Sequence, residues 1–325
     1  MRKRHAYAAI AALAALQATA AQADAAWPKA HPITMVLPAG AGGSSDPLTR
    51  YVSEEIGKRI GQSFIVQNRP GAGGNVGMVY GAKARPDGYT LTISWTGPMA
   101  TNLALYKEVG FSPQKDFAPV GMIGCTPNVL AVDKSSPPSS LQEFNRLAKE
   151  KPEKFSYGTT GVGSSWHIAA EMLNRDLGDR LVHVPYQSPG AALTDMKGRR
   201  LDAIFPVIPM TVPHARAGEM KVLAVFSKER SSVLPEVPTT VEQGFPDLLS
   251  DTCFALLAPA GTPAPIVDQL NKALNQVLSD QASRTRIEDM GIQIRSGPPS
   301  QLQAYLDTEI PRQARLVRAM GVSPE

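Results

Sequence analysis

Short apolar runs alternate along the chain with stretches in which apolar residues recur at helical spacing. In one such stretch Leu48, Val52, Ile56 and Ile60 recur every fourth residue, which places them on one face of a helix. Strand-like runs occur at residues 33–37, 64–68, 90–94, 129–132, 181–185, 201–205, 222–226, 254–258 and 292–295. Strands that alternate with helices build mainly parallel sheets that are covered by helices on both faces. The sequence therefore predicts an α/β protein.

Two proline-rich segments, residues 135–140 and 257–265, interrupt this alternation. The hydrophobic content of 43% is sufficient for two separate cores. The last strand and the C-terminal helices have no sheet to join except the first one, so we expect the chain to leave the first lobe near Cys125 and to return near Cys253. The predicted parts are a signal peptide at residues 1–23, a discontinuous first lobe at residues 24–125 and 253–325, and a second lobe at residues 126–252.

The N-terminus has the three parts of a Sec-type signal peptide. A basic segment at residues 2–4 precedes an apolar stretch at residues 6–16 and a small-x-small site, with cleavage predicted after Ala23 or Ala25. No cysteine comes directly after the predicted cleavage site, so we expect export to the periplasm as a soluble protein and not as a lipoprotein. Removal of residues 1–23 takes away three basic residues and no acidic one, which lowers the formal net charge from +4 to +1. The charge therefore gives no support for a nucleic-acid partner.

The two cysteines of the sequence, Cys125 and Cys253, exclude a disulfide-rich scaffold and a zinc site built from cysteines. Export to an oxidising compartment permits a bond between them, and the alternative is two separate buried thiols. The five histidines show no spacing that is typical of metal ligands. We therefore expect neither a metal nor another cofactor.

Two loops rich in Gly, Ser and Thr follow strand-like runs and open into predicted helices. The first loop is residues 39–46 (AGAGGSSD), and the second loop is residues 157–167 (YGTTGVGSSWH). Backbone N–H groups without partners at a helix N-terminus bind anions such as a carboxylate. In open α/β sheets ligands bind beyond the carboxyl ends of the strands. One such loop on each lobe therefore predicts a cleft that closes on a small organic acid.

In the first loop, Gly43 permits a close approach of the backbone, and Ser44 and Ser45 add hydroxyl donors. Asp46 followed by Pro47 is typical of a helix N-cap and the first helical position. We expect Asp46 to shape the loop in the first place, and to contact a cation or hydroxyl of the ligand in the second.

The second loop carries more donors than a turn requires. Its candidate ligand-binding residues are Thr159, Thr160, Gly163, Ser164 and Ser165. His167 is included among the candidate ligand-binding residues. It is interpreted as a histidine that is buried on a helix face or caps the helix, and the alternative is the base of a serine hydrolase. The residues around Ser164 do not form the G-x-S-x-G elbow of the α/β-hydrolases, which argues against that alternative.

Two further segments lie near the expected cleft. Ser94 and Thr96 stand where the third strand ends, so they are predicted to add donors to a pocket. The glycine-rich run at residues 68–77 has the spacing neither of G-x-G-x-x-G nor of a P-loop. It is interpreted as a tight strand-to-helix turn.

Ten sequence blocks in a fixed order point to a known family. They are GGSSDPLTR, VQNRPGAGGNVG, PDGYTL, DFAPVG, YGTTGVGSSWHIAAE, HVPYQSPGAALTDMKG, LDAIF, KVLAVFS, LPEVPTTVEQGFP and LLAPAGTPAPIV. Along nearly its whole mature length the chain resembles the solute-binding proteins of tripartite tricarboxylate transporters, known as the TctC or Bug family.

The resemblance implies a two-lobe, type II-like periplasmic binding protein in which each lobe is a mainly parallel sheet flanked by helices. It implies a receptor, not an enzyme, that closes over a small carboxylate and delivers it to the permease subunits of a tripartite tricarboxylate-type transporter. We expect this receptor to be a monomer. The residues implied to hold the carboxylate are Gly43, Ser44, Ser45, Thr159, Thr160, Gly163 and Ser164.

Three positions near the cleft or hinge depart from the family pattern. Gly40 and Ala41 replace a common Ala-Pro, Pro206 replaces a common Asp or Gly, and Cys253 replaces a frequent Trp. Pro206 is therefore included among the candidate ligand-binding residues. These departures leave the identity of the ligand open. Two other functions also stay open: a sensor whose lobes dock on a membrane kinase, and an exported hydrolase that uses one of the serines of the second loop.

Overall fold

The computed structural model describes residues 27–42, 45–150 and 155–321. The predicted signal peptide lies outside them. The strands are β1 (Ile33–Leu37), β2 (Phe64–Asn68), β3 (Thr90–Trp95), β4 (Phe117–Pro127), β5 (Val129–Asp133), β6 (Phe155–Thr159), β7 (Leu181–Pro185), β8 (Ala203–Ile204), β9 (Met220–Val225), β10 (Asp251–Pro259) and β11 (Gln293–Ile294). The helices are α1 (Ser45–Ile60), α2 (Asn75–Ala82), α3 (Asn102–Leu105), α4 (Leu141–Glu150), α5 (Ser165–Asp176), α6 (Pro189–Lys197), α7 (Ile208–Arg216), α8 (Ala264–Ser279), α9 (Gln281–Asp289) and α10 (Pro299–Ala319).

Helix α1 shows why the predicted elements form where they do. Leu48, Val52 and Ile56 are fully buried against the first sheet, and each such burial contributes about 1.5–3 kcal/mol. Basic residues stand in its last turn, where they interact favourably with the helix dipole. Gly61, with a φ of +71°, follows the last helical residue and ends the helix in the left-handed region that glycine tolerates.

The first sheet has the strand order β11-β4-β10-β3-β1-β2. Strand β1 is parallel to β2 and to β3, whereas β10 is antiparallel to both of its neighbours. One face packs on α1 and α8 through a core that includes Ile56 and Leu274. The other face is covered by a smaller core that contains Met78 and Leu302. Helices therefore cover this sheet on both faces.

The second sheet has the strand order β7-β6-β8-β5-β9. Strand β6 is parallel to β7 and to β8, and β5 is antiparallel to β8 and to β9. A single core packs against it, formed by residues between Val129 and Leu248 and centred on large side chains such as Phe144, Tyr157 and Phe205. The two sheets and their separate cores give a two-lobe α/β fold, as the sequence predicts.

Both sheets are mixed and not mainly parallel, because the chain passes between the lobes along two opposed strands. Strand β4 leaves the first sheet and β10 returns to it, so these neighbours are antiparallel at the centre of the sheet. Strand β4 extends to Pro127 and β10 begins at Asp251, and both predicted lobe boundaries therefore fall inside these strands.

Cys125 and Cys253 lie opposite each other in the register of β4 and β10. Their sulfur atoms are joined by a bond of 2.05 Å, and both residues are buried. Of the two arrangements that the sequence leaves open, the structure has the disulfide. The bond therefore ties together the two strands that connect the lobes.

Within the three described segments, no helix has the length and apolar character that crossing a bilayer requires.

Candidate functional site

A cavity of about 1210 Å³ lies between the two lobes. It is bounded by the carboxyl ends of β1 and β3 on one side and of β6, β7 and β8 on the other, which is where ligands bind in open α/β sheets. The lining includes segments of the first lobe around residues 38–42, 71–74 and 95–106, and segments of the second lobe around residues 160–166, 187–190 and 207–210. Both predicted loops therefore reach the same cavity.

The first loop reaches the cavity through Ser45, the first residue of α1. Gly43 and Ser44 lie outside the described residues. Helix α1 begins one residue before Asp46, so Asp46 stands in the first turn and the prediction that it is the N-cap is wrong. The side chain of Asp46 does not cap the helix because it accepts hydrogen bonds from the first loop and from β2.

The carboxylate of Asp46 accepts three hydrogen bonds that hold the first loop in place. The donors are the backbone N–H of Gly42 at 3.2 Å, Nε of Arg50 at 3.0 Å and Nδ2 of Asn68 at 3.1 Å. Burial alone would raise the pKa of Asp46, but these hydrogen bonds outweigh it and the pKa is lowered. Asp46 does not line the cavity, which supports its predicted role in shaping the loop.

The second loop ends at the N-terminus of α5, where Ser164 is the N-cap. The hydroxyl of Ser164 donates to the carbonyl of Gly161 at 2.8 Å and accepts from the backbone N–H of His167 at 3.3 Å. The first two N–H groups of the helix, those of Ser165 and Trp166, have no acceptor in the described part of the chain. Both residues line the cavity, so these two donors are available to an anion.

Two predicted donors of the second loop are already occupied within the protein. The backbone N–H of Gly163 donates to Nδ1 of His167 at 3.1 Å. The hydroxyl of Thr159 is fully buried and forms a hydrogen bond of 2.6 Å with Nε2 of His183. Thr160, in contrast, is partly exposed and lines the cavity. Thr159 therefore shapes the loop from behind, Gly163 lines the cavity with its N–H already occupied, and Thr160, Ser165 and Trp166 also line the cavity.

A buried aromatic cluster supports the second loop from below. The rings of His167 and His183 are 4.3 Å apart, and the ring of Tyr157 stacks on that of His183 at 5.1 Å. The hydroxyl of Tyr157 donates to the carboxylate of Glu171. Burial, with the charge of His183 as a second cause, lowers the pKa of His167 to about 4. His167 is therefore neutral at pH 7, as a ring nitrogen that accepts a hydrogen bond must be.

The lowered pKa of His167 predicts a loss of stability in acid. The unfolded state binds a proton near pH 6.5 and the folded state only near pH 4, so the free energy of unfolding falls as the pH drops through this window. The difference corresponds to about 3 kcal/mol, and burial of His183 acts in the same direction. Urea unfolding between pH 7 and pH 4 is expected to show a smaller loss for His167→Gln than for the wild type. His31→Gln, which alters an exposed histidine of the first lobe, is the control, and an equal loss in all three proteins would contradict the prediction.

The geometry around Ser164 is not that of a serine hydrolase. Its hydroxyl donates to a backbone carbonyl, and the ring of His167 receives its hydrogen bond from Gly163 and not from a serine. Among the described contacts, no carboxylate forms a hydrogen bond with the ring of His167. A nucleophile, a base and a residue that orients the base are therefore not assembled here.

The remaining candidates are Ser94 and Thr96 of the first lobe and Pro206 of the second. The hydroxyl of Thr96 reaches the cavity but is held by the backbone N–H of Cys253 at 2.8 Å and by the hydroxyl of Tyr305 at 2.8 Å. Ser94 is fully buried in β3 and has no hydrogen-bond partner there, and it does not line the cavity. Pro206 is also buried outside the lining, and its carbonyl accepts from the backbone N–H of Val129.

The electrostatics of the cavity come from backbone groups more than from side chains. The N-termini of α1, α5, α6 and α7 all contribute to the lining, and each carries a partial positive charge. Of the described residues that line the cavity, none is Lys, Arg or His. An anion bound here would therefore be held by oriented N–H groups and hydroxyls.

A family model described as the tripartite tricarboxylate transporter family receptor matches residues 48–322. The chain belongs to this family. Receptors of this family are binding proteins and not enzymes, which agrees with the arrangement around Ser164.

Three solved structures are similar to this receptor over most of its length. The periplasmic binding protein BugD is 31% identical, with 92% of this chain and 100% of that chain covered and a TM-score of 0.81. An R. palustris protein solved with adipate is 32% identical over 92% and 100% of the two chains, with a TM-score of 0.85. MatC from Rhodopseudomonas palustris, solved with bound malate, is 32% identical over 89% and 99%, with a TM-score of 0.78.

Several residues that line the cavity of this receptor were not predicted from the sequence. Thr101 ends a π-helical turn after β3, Asn102 begins α3, and Gln187 follows β7. The position of Gln187 just beyond a predicted strand is a signal that could have found it. Asp251, at the start of β10, carries no such signal, because a single acidic residue before a strand is common on protein surfaces.

Proposed function

We propose that this protein is a periplasmic receptor that captures a small organic carboxylate between its lobes and delivers it to the permease of a tripartite tricarboxylate-type transporter. The observation that carries the proposal is a cavity between the lobes lined by four helix N-termini and, among the described residues, by no basic side chain. Such a site favours a compact anion whose charge fits several N–H donors at once.

The bound ligands of the similar structures support the same class of cargo. Adipate and malate are both small dicarboxylates, and each was found in a protein about one third identical to this one. The predicted signal peptide supports a site of action in the periplasm, where the receptor would meet its permease. In this proposal the ligand carboxylate is held by Ser45, by Thr160 and by the N–H groups of Ser165 and Trp166, together with Gly43 and Ser44 of the first loop.

A single backbone donor can be removed to test the anion site. In the variant Ser165→Pro, proline occupies the first helical position of α5, where its ring is tolerated but its N–H is missing. Ser164 has φ −60° and ψ 158°, a conformation that is compatible with a following proline. A hydrogen bond to a charged group is worth about 1.5–3 kcal/mol, so Kd is expected to rise about tenfold to a hundredfold.

The measurement is a thermal-shift screen of ligand-stripped protein with mono-, di- and tricarboxylates, followed by calorimetric titration of the ligands that raise Tm. A ligand present at about a hundred times its Kd adds about 2.7 kcal/mol to the stability of the folded state. Ser165→Ala isolates the loss of the hydroxyl. Gln281→Pro is the matched control, because it removes the same backbone donor from the first position of α9, away from the cavity. No shift with any carboxylate, or equal Kd values for Ser165→Pro and Gln281→Pro, would refute the proposed site.

A further inference from the structure

The floor of the cavity carries one charged side chain. Of the described residues that line the cavity, Asp251 is the only Asp, Glu, Lys, Arg or His. It is the first residue of β10, opposite Pro127 of β4, at the point where the chain crosses between the lobes. The residue is partly exposed and lines the cavity.

The carboxylate of Asp251 has no hydrogen-bond donor from another residue in the described structure. Sγ of Cys253 lies 3.7 Å from Oδ2 of Asp251, but it carries no proton because it belongs to the disulfide. Arg312 lies close enough to affect Asp251, but its guanidinium is bound to Glu309 at 2.7 Å and to the carbonyl of Leu249 at 2.8 Å. Asp251 therefore faces the cavity with its acceptor positions open.

The environment of Asp251 opposes its charge. Burial raises the pKa of its carboxyl group, and the negative charge of Glu309 adds to this effect, whereas Arg312 and Arg295 act against it. A ligand group that donates a hydrogen bond or carries a positive charge would relieve this unfavourable situation. A second ligand carboxylate would add to the repulsion.

A second polar group of the cavity lining also lacks a partner. Thr126 is fully buried and lines the cavity, and its hydroxyl has no hydrogen-bond partner. It stands opposite Thr252 in the register of β4 and β10, whereas Asp251 stands opposite Pro127, so the side chains of Thr126 and Asp251 point to opposite faces of the sheet. Buried polar groups are normally satisfied, and a bound ligand is one way in which this one becomes so.

We propose that Asp251 selects a carboxylate ligand whose far end carries an amino group. This inference rests on the proposed function, in which the helix N-termini hold the ligand carboxylate. The two ends of the cavity then have opposite preferences: the loops bind an anion through N–H groups, and the floor accepts hydrogen bonds from an ammonium group. A receptor with such a floor discriminates against plain dicarboxylates of the same length.

The probes are pairs of ligands that differ only at the far end. The amino acids γ-aminobutyrate, δ-aminovalerate and ε-aminocaproate are compared with glutarate, adipate and pimelate, and Kd is measured by calorimetric titration of the ligand-stripped protein. For the pair of fitting length, the wild type is expected to bind the amino acid about tenfold more tightly or better, as for one charge-assisted hydrogen bond. In Asp251→Asn this preference is expected to disappear. Asp247→Asn, the same change at an exposed residue four positions earlier, is the control and keeps the preference.

The outcomes separate this inference from the proposed function. If the wild type binds the dicarboxylates as tightly as the amino acids, or if folded Asp251→Asn keeps the preference, the role of Asp251 is refuted while carboxylate capture stands. If neither these six ligands nor the wider panel binds, the proposed function and this inference both fail. The wild-type comparison decides the question even if Asp251→Asn does not fold.

Discussion

Gly163→Ala is expected to weaken carboxylate binding by about tenfold or more while leaving the protein folded. Gly163 has a φ of +74°, a conformation that costs residues with a side chain about 1–2 kcal/mol. A Cβ atom at this position would also lie 1.9 Å from Cδ1 of Leu105, which belongs to the other lobe. The second loop must therefore move away from the first lobe, and the N–H groups of Ser165 and Trp166 move with it.

The two causes can be separated with a second substitution. Leu105→Ala removes the atoms that a new Cβ would meet, so the double variant Gly163→Ala/Leu105→Ala is expected to recover part of the lost affinity. The remaining loss then reports the backbone conformation alone. Leu105→Ala by itself is the control for the missing side chain. Calorimetric titration of the four proteins with the best carboxylate of the panel gives the result, and wild-type affinity in Gly163→Ala would show that the lobes do not meet at this point.

Removal of the disulfide is expected to cause the largest loss of stability. The bond between Cys125 and Cys253 closes a loop with a sequence separation of 128 residues, which contains the whole second sheet. In the chain-entropy account a cross-link over about 100 residues is worth about 4.7 kcal/mol, and measured losses run to about 2–5 kcal/mol. For Cys125→Ala/Cys253→Ala we expect the free energy of unfolding to fall by about 4 kcal/mol.

Urea unfolding under oxidising and reducing conditions measures this loss. Addition of dithiothreitol is expected to destabilise the wild type to the level of the double variant and to leave the double variant unchanged. A double variant within about 1 kcal/mol of the wild type would mean that the packing of β4 on β10 is sufficient without the cross-link.

The pattern of apolar residues predicts most of the first lobe well. The strands at Ile33–Leu37 and Phe64–Asn68 have the bounds that the sequence predicts. Strand β4 was harder to recognise, because Pro119, Gly121 and Gly124 interrupt its apolar pattern. It forms because both of its neighbours, β10 and β11, pair with it over buried faces. Such tertiary contacts override local preference and are invisible to a reading of short segments.

The sequence likewise predicts only some features of the candidate site. Residue types and loop positions predict which segments line the cavity, as Ser45, Thr160 and Ser165 illustrate. They do not predict which donors are already occupied, because the partner of Gly163 is the side chain of His167 and the partner of Thr159 is on another strand. The role of these residues toward a ligand stays a prediction.

The central place of β10 in the first sheet has a consequence for the order in which the chain acquires its structure. Strand β10 stands between β4 and β3, so the first sheet lacks a central strand until residues 251–259 are present to pair with both. The second sheet and its core need only residues 129–248. In the proposed export, these residues leave the translocation channel before residues 251–259. In vectorial export the middle of the chain therefore completes a hydrophobic core first, while the N-terminal strands wait for the C-terminal third. On the proposed export route, an intermediate halted before residue 251 would hold one finished lobe and the four strands β1–β4 without the central strand that joins β3 to β4, which leaves exposed strand edges that favour aggregation.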